Sequence, residues 1–151
     1  MTEIELKILE KSLTDLIIEF EGDEDELKYF TESIQTIGLN LSELYIAALY
    51  KNKFIFADII IQSGKYNIKR DKKLNTEFFN WGYSDRDDCM IRCLEDGFQP
   101  NVWKIMKIMD LLIEIRNNPS NNIVYGKLFL ILRAYKIKKL IRRIHSKKPL
   151  D

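Results

Sequence analysis

The chain has 151 residues, 46% apolar and 31% charged, with a formal net charge of +1. That length suits one domain with a sizeable core, over 1–151, and that balance excludes a disordered or collagen-like chain. No apolar run is long enough to span a bilayer, and the opening MTEIELKILEKSLTD lacks the basic start and apolar block of a secretory leader.

The apolar residues recur at helical spacing along most of the chain. Residues 3–20 place Ile4, Leu6, Ile8, Leu9, Leu13, Leu16, Ile17 and Phe20 on a first helix. Gly22 and the acidic turn EGDEDE interrupt it. A second helix is expected over 24–37, through Leu27, Tyr29, Phe30, Ile34 and Ile37, stopping at Gly38. Ser42 is expected to cap a third, SELYIAALY. KFIFADIIIQSG is a fourth that ends at Gly64; its β-branched run also fits a strand. KYNIKRDKKLN reads as a polar loop, and Thr76 opens TEFFNWGY. DRDDCMIRCLEDG forms the next helix and ends at Gly97. Pro100 precedes NVWKIMKIMDLLIEIR, NNPSNN is a loop, and IVYGKLFLILRAYKIKKLIRRI closes the chain as a long helix. The expected class is all-α, with about eight helices in antiparallel pairs and no strand alternation.

Charge is distributed unevenly. Residues 1–50 carry twelve carboxylates and three lysines, a net charge of −9. Residues 127–148 carry nine lysines and arginines and no acid. A dipole of this size steers partners more than it sets a fold.

Two segments are written alike. Gly64 and Gly97 are 33 residues apart, while Ser42 and Thr76, like Leu44 and Phe78, are 34 apart. One inserted residue near Lys51-Asn52 reconciles the offsets. A period near 33 in helix pairs resembles the ankyrin repeat. SELYIAA (42–48) resembles the start of that family's first helix. Ser42 stands for its Thr, Leu44 for its Leu, Tyr45 for its His, and Ala47-Ala48 for the small pair. CMIRCLEDGFQPN (89–101) is similar to its Leu-Leu-x-x-Gly-x-x-x-Asn ending. The resemblance covers about 42–101. It implies a short stack of helix pairs with atypical capping helices at 3–37 and 102–145. It also implies that Ala47, Ile60, Cys89, Cys93 and Leu94 are buried between units. Trp81 and Gly82 depart from the pattern, because Trp81 is large for a small-residue slot, and no long hairpin finger precedes Ser42 or Trp103.

Catalytic constellations are missing from the sequence. His145 is a single histidine in a basic tail, so no Ser-His-Asp or Cys-His set can be assembled. No Gly-rich phosphate loop is present. EGDEDE and SDRDD contain acids at 1,3 spacing, but neither completes a twelve-residue Ca²⁺ loop with its closing Glu. Cys89 and Cys93 share one face of a helix and read as small core residues, which suits a reducing cytoplasm. The expectation is therefore a protein without enzymatic activity, metal, cofactor or small-molecule substrate.

A protein-binding module follows from that pattern. Ankyrin-like proteins grip other proteins, and one strongly acidic end suits a basic partner such as a nuclease toxin. In this character the chain is similar to small bacterial immunity proteins, including those of contact-dependent growth inhibition. The expected contact residues are Glu21, Asp23, Glu24, Asp25, Glu26, Asp85, Asp87 and Asp88, with Tyr83 as an aromatic anchor. A viral or effector ankyrin-type adapter is one alternative. A nucleic-acid or membrane-surface binder acting through 133–148 is another, although the acidic N-terminal half would repel a phosphate backbone.

Overall fold

The computed structural model describes residues 1–101, Asn117 and 124–147. These residues are all-helical, with seven helices and no strand among them. The helices are α1 (Glu3–Glu19), α2 (Glu24–Ser33), α3 (Leu41–Tyr50), α4 (Phe54–Gln62), α5 (Lys72–Tyr83), α6 (Asp87–Glu95) and α7 (Val124–Lys147). The helix expected in 102–116 lies outside the described residues. The chain divides into two compact units, Met1–Glu77 and Phe78–Asp151, and the boundary falls within α5.

In the first unit, α1 starts with a capping box. Thr2 Oγ1 accepts the Glu5 N–H at 3.2 Å, and Glu5 Oε2 accepts the Thr2 N–H at 3.3 Å. Two otherwise unpaired helix-end donors are thereby satisfied. α1 packs on α3, α3 pairs with α4, and α2 lies against α4. Leu13, Ile17, Phe30, Leu44, Tyr45, Ala48, Leu49, Phe56 and Ile60 are wholly buried. Phe56 sits at the centre, with Phe20 and Phe30 each edge-on to its ring at 4.8 Å. Edge-to-face contacts of this kind add about 0.5–1.5 kcal/mol each beyond burial. The β-branched run Ile59-Ile60-Ile61 is helical, because tertiary burial of Phe56, Ala57 and Ile60 outweighs its strand preference.

In the second unit, Phe78 contacts Phe79 and Phe98, and α6 packs on α7. Trp81, Cys89, Met90, Cys93, Leu94, Ile137, Leu140 and Ile144 complete the buried set. Gly82 lets α7 come close: a Cβ there would stand 3.4 Å from Ile137 Cδ1. The large Trp81 and the absent side chain at Gly82 are therefore adjacent compensations in one helix.

The two similar segments share one offset of 33, with no insertion. Asn52 (φ 59°) and Asp85 (φ 58°) occupy the left-handed region in the two interhelical turns. Lys53 N–H donates to Ala48 O at 2.8 Å, and Arg86 N–H to Trp81 O at 2.9 Å. Gly64 N–H reaches Ile61 O, and Gly97 N–H reaches Leu94 O, both at 3.2 Å. α4 and α6 have nine residues each, and the buried Phe56, Ala57 and Ile60 correspond to the buried Cys89, Met90 and Cys93. The residue equivalent to Trp81 in this register is Ala48, and Leu41 is matched by Leu74, all buried.

Several local expectations are corrected. Ser42 does not cap α3. Asn40 does, its side chain accepting the Glu43 N–H. Thr76 does not open α5, which begins at Lys72 behind Asp71; Asp71 Oδ1 accepts the Lys73 N–H at 3.1 Å. The polar loop is therefore shorter by the residues Lys72–Asn75. Asn and Asp displaced Ser and Thr as caps because both are at least as good in that role. α2 ends at Ser33, and Ile34–Gly38 is a turn. Ala47 is half-buried; of the pair Ala47-Ala48, Ala48 is the one wholly buried.

Leu94 is 6% exposed, so Leu94→Ala is expected to lower unfolding free energy by about 2–5 kcal/mol in urea titrations. Gly97 has φ 106°, so Gly97→Ala should also destabilise, by about 1 kcal/mol or more.

Candidate functional site

The acids singled out in the sequence form two groups, one in each compact unit. Glu21, Asp23, Glu24, Asp25 and Glu26 occupy the turn after α1 and the first turn of α2. Asp23 is the N-cap, and its Oδ1 accepts the Asp25 N–H at 2.9 Å. Glu24, Asp25 and Glu26 follow in the first helical turn, where carboxylates are favoured by the unpaired N–H groups. The second helix begins at Glu24, where it was expected to start, so three of the five acids are helical. Glu21, Asp23, Glu24 and Asp25 are exposed and Glu26 is half-buried. Among the described residues, none of the five is within ion-pair distance of a cation.

The second group is internally neutralised. Lys136 Nζ lies 2.7 Å from Asp85 Oδ1 and 2.9 Å from Asp87 Oδ1. Nζ donates to Asp85, and this bond together with the neighbouring Asp87 carboxylate raises the Lys136 pKa above its ordinary value. A raised lysine contributes stability that is complete below the unfolded value of about 10.4 and lost as pH climbs through the folded one. The Arg86 guanidinium bonds Asp88 at 3.2 and 3.3 Å and holds its carboxyl below the usual range. A lowered carboxylate works in the opposite sense: its contribution is present above the unfolded value and lost as pH falls through the folded one. Asp85, Asp87 and Asp88 thus clamp α6 to α7 and order the turn before α6. The side chain of Tyr83 lies outside the described residues.

The sequence did not single out two further features. Asp71 gathers a polar cluster: Ser42 Oγ and Tyr66 OH both donate to its Oδ2, the latter at 2.5 Å, while its Oδ1 caps α5. Lys73 pairs with Glu43 beside it. This cluster ties the start of α5 to α3 and holds no group poised to react. The second feature is an open groove of about 710 Å³ along α1, lined by Ile8, Lys11, Asp15, Leu16 and Glu19, and by Glu26 from α2. Its signal was present, because Ile4, Ile8 and Ile18 fall on the side of the helix opposite Leu13.

Among the described residues, no group of three or more His, Cys, Asp or Glu could hold a metal, and no helix is long and apolar enough to cross a membrane. Cys89 and Cys93 are free and buried. Burial, reinforced by the Asp88 charge, pushes the Cys89 thiol up to about 12. Burial raises Cys93 as well, and its Sγ donates to Met90 O. Only the thiolate is a nucleophile, so both side chains are inert at neutral pH. No protein-family model, curated protein or solved structure matches the chain.

The thiols give a direct test of this second unit. At pH ~8, where free cysteine is partly thiolate, iodoacetamide should leave Cys89 and Cys93 unmodified in the folded chain and label both in urea. Mass spectrometry reads the result, and rapid labelling without denaturant would contradict the burial of α6.

Proposed function

We propose that the chain is a non-enzymatic protein-binding module, an ankyrin-like stack of helix pairs that captures a basic partner. The partner class that best suits it is a cationic toxin domain such as a nuclease, which would make the chain a cytoplasmic immunity or inhibitor protein of the contact-dependent growth inhibition kind. One observation carries the reading. The carboxylates Glu21, Glu24, Asp25 and Glu26 have no cation among the described residues, whereas Asp85, Asp87 and Asp88 each have one. The acids of the second group are paired inside the chain, whereas those of the first stand close together on one short segment with their charge uncompensated among the described residues. The repeated turn at Asn52 and Asp85 supports the stack, because a fixed offset of 33 in helix pairs is a stacking architecture's period. The proposed contact set is accordingly narrowed to Glu21–Glu26.

Rim charges act mainly on the association rate. Reversal of Glu21, Glu24 and Asp25 to Lys should slow association with a basic partner by about tenfold or more and flatten its salt dependence. Asp23 is kept, because losing the cap of α2 would cost about 0.5–2 kcal/mol of stability. A pull-down analysed by mass spectrometry supplies the partner, and surface-plasmon kinetics at two salt concentrations supply the rates. An unchanged association rate removes this reading. A second reading rests on α7, where Lys138, Lys139, Arg142 and Arg143 are exposed. If neutralising those four abolishes binding instead, the basic helix is the working surface, toward nucleic acid or an anionic membrane.

A further inference from the structure

We infer that the groove along α1 is the seat of a cationic amphipathic helix supplied by the partner. The inference rests on the protein-binding reading above and names the shape and chemistry of what is bound.

α1 is apolar on two sides. Leu13 and Ile17 are wholly buried toward α3. On the opposite side, Ile4 is 72% exposed, Ile8 65% and Ile18 43%. A surface helix normally buries one stripe and solvates the other, so three isoleucines on the outer side are unaccounted for by the packing of the described residues. Ile4, Ile8, Lys11, Asp15 and Ile18 are spaced 4, 3, 4 and 3 residues apart, the spacing at which a second helix makes contact along a seam, with apolar side chains at three of the positions and the charged Lys11 and Asp15 between them. α1 has 17 residues, about 25 Å of helix, enough for two heptads of contact. The groove flanks this seam, with Ile8 and Leu16 as its apolar part and Asp15, Glu19 and Glu26 as its charged edge.

Charge selects the occupant. The groove has three carboxylates and one ammonium, Lys11. The stretch 1–26 holds ten acids and two lysines, so a second copy would bring the same negative segment against itself. An anionic membrane is repelled in the same way. A helix with apolar residues at heptad spacing and lysines or arginines beside them satisfies both the seam and the edge. Binding through the seam gives residence time, and the acids at Glu21–Glu26 give encounter rate, so the two neighbouring features have separable effects.

The test uses the full chain and a synthetic helical peptide of about 18 residues, with Leu at seam positions and Lys flanking them. A peptide of the same composition in permuted order is the control. The amphipathic peptide should bind at least about tenfold tighter than the permuted one, in fluorescence anisotropy at low and high salt. Ile8→Asn should weaken it about tenfold with an unchanged melting temperature, since Ile8 is solvent-facing. Asp15→Lys should weaken it too, and should favour a version of the peptide carrying Glu in place of Lys. Equal binding of the two peptides, or no effect of Ile8→Asn and Asp15→Lys, overturns the groove. If the Glu21, Glu24 and Asp25 reversal still slows the natural partner in that case, the basic-partner reading stands without it. If neither set of changes matters, both fall. A dimer in light scattering that Ile8→Asn converts to monomer would also overturn the inference, because the seam would then belong to a second copy.

Discussion

Two left-handed residues, Asn52 and Asp85, set the local geometry on which both helix pairs depend. Each of these three-residue turns takes one position into the left-handed region, which most L-residues avoid. Asn and Asp reach that region at small cost because their short side chains bond locally. Once the crossing is made, Lys53 N–H closes on Ala48 O and Arg86 N–H on Trp81 O. In the first unit α4 then packs along α3. Burial comes afterwards in this order of causes: Phe56, Ala57 and Ile60 in one segment, Cys89, Met90 and Cys93 in the other, are the positions that the turn aims inward. The same turn thus serves aromatic and sulfur-containing cores alike.

That freedom explains what was legible in the sequence and what was not. The all-α class and most helices could be read because apolar spacing at 3.6 residues is a long-range signal, repeated over ten or more positions. Gly64 and Gly97 were readable as helix ends because positive φ leaves few alternatives to Gly there. The caps were not. Asn40 and Asp71 compete with Ser42 and Thr76 for the same role within a few residues, and pattern alone does not decide between them. The offset followed the caps into error: pairing Ser42 with Thr76 gave 34, whereas Asn52 with Asp85 gives 33. Turn residues carry the register more faithfully than caps, since a turn of three residues has no slack and a helix N-terminus can begin one or two residues early.

The acidic positions show a different kind of legibility. Their residue types were evident, but their roles depended on cations more than forty residues away. Asp85 and Asp87 meet Lys136, which only the packing of α6 on α7 brings near. Asp88 is held by Arg86, a local partner visible in SDRDD itself. The half of the expected site in the second unit therefore has a structural occupation that composition could not reveal. The segment Glu21–Glu26 differs: Asp23 accepts a backbone N–H, and Glu24, Asp25 and Glu26 stand in the first turn of α2 at its positive end. Helix-end stabilisation lets carboxylates crowd on a short turn without a compensating side chain, and leaves their outward charge available to a partner.

Trp81 shows how far the repeated segment tolerates departure. It replaces Ala48 at the offset of 33 and is buried to 1% exposure, yet the turn after it keeps the geometry of the turn after Ala48. Its indole Nε1 finds no hydrogen-bond partner, and an unpaired buried donor costs about 1–3 kcal/mol. The site retains it because a large ring fills volume that Ala would leave empty, and core cavities cost a similar or greater amount. Gly82, the next residue, lies against Ile137 of α7. Two adjacent substitutions of opposite size leave the sum of volumes serviceable, which is how the second segment can differ in nearly every core residue while its backbone follows the first.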